Sequence, residues 1–406
     1  MGRRDRGFWI ADCRLPIADC GVRNSDWRPA AKRLIRKQNS AIRSSQVDMR
    51  IVIAAGGTGG HIFPGIAIAR EIERRDATAE ILFVGTARGL ESKIVPREGF
   101  ELELIKVSAL KGVSMLQRAK SLLELPASFA AARRILKRFK PDVVMGVGGY
   151  SSGPTLLMAA LMHIPTMVVE PNAMPGFTNR VLARFVDAAA LTFQESLRFF
   201  RGRGRITGNP VRGDFGQLER KDRAEELSLL IFGGSQGAHA INNAMAGALP
   251  LLADHKARLR ITHQTGESDF DMVRRSYLDA GFEAADVRPF IHDMSTQFRQ
   301  ADVLVCRSGA TTVAEVAAAG KAAIFVPFPF ATDDHQRKNA EAFANAGAGR
   351  MIVQQEMTPG RLSREIEWFI EHPAEITRME EASRKLGRPD AAERCVELAL
   401  SLIKRP

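Results

Sequence analysis

Residues 302–340 read DVLVCRSGATTVAEVAAAGKAAIFVPFPFATDDHQRKNA. Asp302 to Cys306 and Ala322 to Phe328 are short apolar runs of the kind that form buried parallel strands. Between them, Thr312 to Ala319 has the Ala-rich composition of a helix, closed by Gly320. The turn into it, Arg307-Ser308-Gly309-Ala310-Thr311, is built of small residues after the arginine. Such a turn lets an anion approach the unpaired amides at a helix start, where the dipole favours negative charge. Glu315 falls about one turn into the helix, placed to accept hydrogen bonds from sugar hydroxyls beside a bound phosphate. An ordinary strand-helix-strand unit accounts for the elements alone. The polar group after the second strand (Asp333, Asp334, His335, Gln336, Asn339) adds the signature of a nucleotide-sugar site at a strand's carboxyl end.

The same pattern recurs on either side. Leu227 to Phe232 reads as a strand, and Gly233-Gly234-Ser235-Gln236-Gly237-Ala238 opens a helix from about Ile241. Ile261 to Gln264 and Val287 to Pro289 read as edge strands. Upstream, Ile206 to Arg212 carries the turn chemistry of Gly208-Asn209-Pro210 and marks a seam between two α/β series. The first series opens at Arg50 to Ala55, followed by Gly56-Gly57-Thr58-Gly59-Gly60-His61 and a helix expected from about Pro64 to Arg74, with Pro64 in its first turn. Asp142 to Val147 is a further strand ending in Gly148-Gly149-Tyr150-Ser151-Ser152-Gly153-Pro154. Thr166 to Val169 delivers Glu170-Pro171-Asn172 and a loop with Pro175, Gly176, Asn179 and Arg180. Glycine-rich turns after parallel strands permit backbone approach to a diphosphate. The strand Ile81 to Gly85 ends in Gly85-Thr86 with no acidic residue for a ribose, which argues against NAD.

Composition sets the outer limits. The chain has 406 residues, 45% of them hydrophobic and 26% charged, as in a globular protein with two to three domains' worth of core. No run approaches the ~18 apolar residues of a membrane-spanning helix, and the basic start lacks the ~7–15-residue apolar core of a secretion signal. Cys13, Cys20, Cys306 and Cys395 have no metal-ligand spacing, and a reducing compartment suits them. The net charge is +12, but residues 1–48 hold eleven Lys/Arg against five Asp, half of the excess. That segment, with its crude repeat IADCRLP and IADCGVR, reads as a disordered leader or as translated upstream sequence ahead of Met49.

The remaining basic residues lack the aromatic interleaving of a nucleic-acid surface, so no nucleic-acid partner is expected. In residues 127–140, Phe129, Ala132, Ile135, Leu136 and Phe139 share one helical arc, and Arg133, Arg134, Lys137, Arg138 and Lys140 share the other. A packed helix with a solvated basic face explains that pattern. The preceding Leu110–Leu125 stretch, with Met115, Leu116, Leu122 and Leu123 among Lys111, Arg118 and Lys120, is the better candidate for touching anionic lipid. Asp269-Phe270-Asp271 has the D-x-D form of metal-dependent sugar transferases, but acidic residues at a probable helix start suit the dipole without a metal.

Taken in order, GGTGGHIFPG, GVGGYSSGP, GNPVR, GGSQGA, FIHDM, CRSGATTVAE and HQRKNA resemble the MurG family of peptidoglycan glycosyltransferases, from about residue 50 to the C-terminus. The resemblance implies an α/β GT-B fold, two Rossmann-like domains facing across a cleft. These would be an N-terminal acceptor and membrane-facing domain (49–211) and a C-terminal donor domain (212–388), with a last helix from about 389 packing back on the first. It implies transfer of N-acetylglucosamine from UDP-GlcNAc to lipid I, giving lipid II, at the cytoplasmic face of the bacterial plasma membrane. Partners would be that anionic surface and other cell-wall synthesis proteins; no cofactor or metal is implied.

Residue by residue, the resemblance matches Arg212, Ser235, Gln236, Gly237, Ile291, Ser308, Gly309, Thr311, Glu315, His335 and Gln336 to the donor site. Arg212 and the Ser235 turn would face the diphosphate, Ile291 the uracil, Glu315 the ribose, and His335 and Gln336 the sugar. Thr58, Gly59, Gly60 and Asn172 would reach the donor from the opposite side. Gly57, Tyr150, Ser151 and Asn179 would hold the acceptor. Direct displacement with inversion needs a base and positive potential at the leaving diphosphate, which helix starts and Arg212 can supply. His61 is a candidate base, or a structural histidine holding the glycine-rich turn; Glu170 is the second candidate. Two rival readings are an isomerase of the UDP-GlcNAc 2-epimerase type and a non-catalytic membrane-recruiting subunit.

Overall fold

The structure, a computed structural model, describes residues 49–57, 59–87, 89–107, 115–172, 174–212, 215, 226–234, 236–331 and 334–403, without the side chains of 115–123. The leader, Thr58, Ser235 and Asp333 lie outside the described residues. Strands β1 (Arg50–Ala55), β2 (Glu80–Gly85), β3 (Glu101–Leu104), β4 (Val143–Gly148), β5 (Thr166–Glu170), β6 (Ala188–Leu191) and β7 (Gly204–Ile206) form one sheet in the order β3-β2-β1-β4-β5-β6-β7. Strands β8 (Leu227–Phe232), β9 (Leu259–Gln264), β10 (Asp286–Arg288), β11 (Val303–Cys306), β12 (Ala322–Phe325) and β13 (Gly349–Met351) form a second, in the order β10-β9-β8-β11-β12-β13. Every pairing is parallel. In each sheet the chain reverses direction of growth beside its first strand, so a switch point, where ligands bind in open α/β sheets, lies at β1/β4 and at β8/β11.

Continuous apolar strands such as IVIAA and LSLLIF are buried on both faces because helices cover both. The helix Ala391–Leu402 follows the break at Gly387-Arg388-Pro389 and places Cys395, Val396 and Ala399 in the core of the first sheet. The helix before it, Pro373–Leu386, contributes Ile376 and Met379 to the second.

Three local expectations need correction. The first helix spans Gly59–Arg75, so it begins inside the glycine run and Pro64 is an interior residue rather than a first-turn one. Strand β12 stops at Phe325, before Pro327, which cannot donate to a ladder. Strand β9 is internal, between β8 and β10; its buried His263 and Gln264 disguised it as an edge. His263 is satisfied by the Tyr277 hydroxyl at 3.1 Å and Asn242 Oδ1 at 3.1 Å, and Gln264 by the Gly234 carbonyl and the Ile291 amide.

Candidate active site

Four helices start directly after glycine-containing strand ends: Gly59–Arg75, Ser152–Leu161, His239–Ala248 and Ala310–Ala319. None carries an acidic residue in its first turn, and no side-chain cap is made at the last three. Each is a place where first-turn amides and the positive end of the helix dipole can meet an anion.

In the first sheet's loops, two turns are stacked tightly. A Cβ on Gly149 (φ +83°) would lie 2.1 Å from the Gly56 carbonyl oxygen, and one on Gly148 (φ +122°) 2.3 Å from His61 Nδ1. Only glycine fits at either place. Glu91, which sequence reasoning missed, is fully buried and ties the turns together. Its Oε2 accepts the Gly57 amide at 2.9 Å, and its Oε1 accepts the Thr86 amide and hydroxyl, both at 2.7 Å. The acidic residue sought immediately after β2 is present five positions past Thr86, spent on the loop backbone instead of on a ribose.

His61 is half-buried, with Nδ1 3.2 Å from the Val147 carbonyl. A carbonyl only accepts, so Nδ1 carries the hydrogen and Nε2 holds the lone pair. Burial lowers the imidazole pKa below its ordinary value, against the opposing pull of the Val147 bond and the Glu91 charge. The ring is thus neutral at neutral pH, in the tautomer a general base needs.

Glu170 has a different environment. It is 1% exposed, and four donors occupy its carboxylate. The Asn172 amide and Nδ2 reach Oε1 at 2.9 and 3.1 Å, and the Gly176 amide and Asn179 Nδ2 reach Oε2 at 3.1 and 2.8 Å. Burial raises its pKa and these donors oppose the rise. These four donors make the carboxylate an anchor for the loop after β5. Asn172 and Asn179, expected to face ligand, spend an Nδ2 hydrogen on it. Tyr150 is exposed, and Ser151 is buried with its Oγ lacking a partner beside Gly56.

In the second sheet's loops, Ser308 Oγ donates to the Gln336 carbonyl at 2.8 Å and Asn339 Nδ2 to the Ser308 carbonyl at 3.1 Å. Gln336 Oε1 accepts the Phe328 amide at 3.0 Å, so this glutamine presents its Nε2 hydrogens. Ser308, Gly309, His335 and Gln336 are thereby brought to one strand end. Ile291 has its side chain in the core and its amide on Gln264 Oε1 at 2.8 Å. Gln236 and Gly237 form an accessible turn before the His239 helix. Asp269, of the D-x-D segment, precedes the helix Phe270–Asp279 and accepts from Asn242 Nδ2 at 2.7 Å, with His239 Nδ1 at 3.0 Å.

The two sides meet. Arg212 Nη2 lies 3.1 Å from Glu315 Oε1, and its guanidinium carbon lies 4.5 Å from the ring centre of Phe63, two residues past His61. Thr311 Oγ1 donates to the Gly60 carbonyl at 3.0 Å. Burial raises the Glu315 pKa, and the Arg212 charge opposes the rise. Arg212 Nε and Asn209 Oδ1 are buried without partners at the same junction.

Two parallel sheets with paired switch points and helix starts that meet across a shared junction define the GT-B fold, here in a glycosyltransferase. The chain belongs to glycosyltransferase family 28, in its MurG branch. Residues 51–191 match the family's N-terminal domain and 228–395 its C-terminal domain. The chain is 49% identical over 355 residues to the UDP-N-acetylglucosamine–N-acetylmuramyl-(pentapeptide) pyrophosphoryl-undecaprenol N-acetylglucosamine transferase of Geotalea uraniireducens, covering 86% of this chain and 97% of the relative. It is 47% identical over 358 residues to the Myxococcus xanthus protein of that name, covering 87% and 93%. The crystal structure of Acinetobacter baumannii MurG matches with a TM-score of 0.69 at 31% identity, over 87% of this chain and 99% of that one. UDP-GlcNAc 2-epimerase from Neisseria meningitidis, at 14% identity and a TM-score of 0.64 over 87% and 100%, shares the fold alone.

Proposed function

We propose that this protein transfers N-acetylglucosamine from UDP-GlcNAc to lipid I, forming lipid II and UDP in peptidoglycan synthesis. The observation that carries the reading is the meeting of a neutral, Nδ1-bonded His61 with the Arg212–Glu315 junction, which covers Phe63 two residues further along the same helix. His61 Nε2 takes the proton of the acceptor's sugar hydroxyl as its oxygen attacks the anomeric carbon from the face opposite UDP. The bond from that carbon to the diphosphate breaks, the anomeric centre inverts, and UDP leaves with the electron pair. The uncapped start of Ala310–Ala319, the Gln236-Gly237 turn and Arg212 stabilise the departing charge. Glu315 holds the ribose, Ile291 the uracil, and His335 and Gln336 the sugar.

The acceptor's diphosphate sits at the Gly57–Gly60 and Tyr150–Ser151 turns, and its lipid stays in the membrane. The enzyme docks peripherally on the anionic cytoplasmic face; no helix among the described residues is long and apolar enough to cross a bilayer. Phe177, Val181 and Phe185 follow one another at four-residue spacing and are 57%, 45% and 48% exposed beside Arg180 and Arg184. This suits an interfacial surface. Of the Leu110–Leu125 stretch expected to touch lipid, residues 110–114 lie outside the described residues and the rest begins the helix Met115–Phe139, whose side chains are described from Glu124 on.

Incubation with labelled UDP-GlcNAc and a lipid I analogue tests the assignment. Label in a lipid II product, strictly dependent on acceptor, is the expected result. Conversion of UDP-GlcNAc to an epimer without acceptor establishes the isomerase instead, and donor binding with neither product establishes a non-catalytic subunit.

A further inference from the structure

Two features of the chain converge on one carbonyl. Pro64 is the sixth residue of the helix Gly59–Arg75 and has no amide hydrogen. The residue at that position would otherwise bond the carbonyl four residues back, that of Gly60. Gly60 is instead met from the second domain, by Thr311 Oγ1 at 3.0 Å. Gly60 immediately precedes His61. Thr311 is the second residue of the helix Ala310–Ala319, whose first turn is the proposed donor-phosphate cradle. That first turn is also held by the interdomain segment, through Asn209 Nδ2 to the Ala310 carbonyl at 3.3 Å. One turn further on, Glu315 pairs with Arg212, and Arg212 covers Phe63. The donor helix therefore meets the His61 helix directly at Gly60 and, through Arg212, at Phe63, on either side of His61.

We infer that Thr311 is a positioning residue, and that Pro64 keeps the Gly60 carbonyl available for it. The hydroxyl sets the start of the donor helix against the turn that carries His61, so that the anomeric carbon and the base arrive in register. The inference rests on the transferase reading and departs from the expectation that Thr311 touches the donor. Its hydrogen is spent across the domain boundary.

Thr311→Val removes the hydroxyl at nearly constant volume. The expected result is a kcat lower by roughly 3–10-fold, the range that one lost neutral hydrogen bond implies, with KM for UDP-GlcNAc and acceptor within about twofold. Thr311→Ser restores kcat. Pro64→Ala supplies an amide that competes for the Gly60 carbonyl, so it lowers kcat in the same direction. The double variant should be no slower than the slower single one, as for two changes at one contact. A raised KM for UDP-GlcNAc with kcat kept, multiplying effects in the double variant, or wild-type kinetics in Thr311→Val would each overturn the inference. Hydrogen exchange across residues 57–66 needs no turnover, and it separates this question from the activity itself. It should quicken in Thr311→Val, and unchanged exchange refutes the contact even if the wild-type protein transfers no sugar.

Discussion

Arg212 and Glu315 form a 3.1 Å ion pair in which the carboxylate side chain is 8% exposed and the guanidinium 29%. Sequence reasoning sent the two to different parts of the donor, diphosphate and ribose; in the structure they hold each other. Arg212→Met leaves Glu315 buried without its cation. The expected destabilisation is on the order of 2 kcal/mol, short of the about 3–5 kcal/mol of a fully buried pair because Arg212 keeps solvent access. Adding Glu315→Gln should recover most of it. Denaturant midpoints of the four proteins decide the matter; a double variant no more stable than Arg212→Met refutes the pairing account.

His61 supplies a pH dependence with a definite sign. The base form is neutral and burial lowers its pKa, so activity is lost as pH falls through a value below about 6.5 and is flat across neutrality. The kcat/KM profile should show that acid limb in the wild type. His61→Ala should lack it and lose roughly 10²–10⁴ in rate. An acid limb centred above pH 7, or a His61→Ala enzyme with near-normal turnover, would return His61 to a purely structural role.

Glu170→Gln distinguishes an anchor from a base. A glutamine cannot accept from all four donors, since its Nε2 would face either the Asn172 pair or the Gly176 and Asn179 pair. Amide exchange at Asn172 and Gly176 should accelerate and acceptor KM should rise, while the acid limb stays where His61 sets it. Disappearance of that limb in Glu170→Gln would make Glu170 the base after all.

What was legible in the sequence follows from what each residue does alone. Apolar runs such as Leu227–Phe232 and the glycines after β1, β4 and β8 announce buried parallel strands and close backbone approach without any knowledge of neighbours. Glu91 was invisible because its carboxylate accepts the Gly57 amide from a loop 34 residues earlier, a relation that leaves no spacing in the chain. The helix start at Gly59 was misplaced for a related reason. Glycine and an interior proline both argue against a helix locally, and a hydroxyl from residue 311 compensates at a distance no local rule reaches. His263 in β9 was read as polar edge sequence for want of its partners Tyr277 and Asn242.

Membrane docking has a surface test. Phe177→Ser with Phe185→Ser should reduce binding to vesicles containing anionic lipid and leave transfer to a short-chain, water-soluble acceptor unchanged, because neither ring takes part in the site's hydrogen bonds. Cosedimentation measures it. Binding that survives the double substitution would move the docking surface elsewhere on the domain.

The His263 network makes a stability prediction that is independent of activity. Asn242 gives Nδ2 hydrogens to the Thr265 carbonyl and Asp269, so its Oδ1 accepts from His263 Nε2, and His263 Nδ1 accepts the Tyr277 hydroxyl. Burial lowers the imidazole pKa to about 3. Between that value and the unfolded value near 6.5, the unfolded chain binds a proton that the folded protein refuses. Stability contributed by neutral His263 is therefore intact above about pH 6.5 and falls as pH drops, by up to roughly 1.4 kcal/mol per unit. His263→Gln retains a donor and an acceptor without titrating. It should be less stable than the wild type at pH 8 through imperfect packing, yet lose less stability between pH 6.5 and 4.5. Denaturant melts at those pH values measure the two slopes, and parallel slopes would show that His263 is protonated in the folded protein and is not held neutral by its partners.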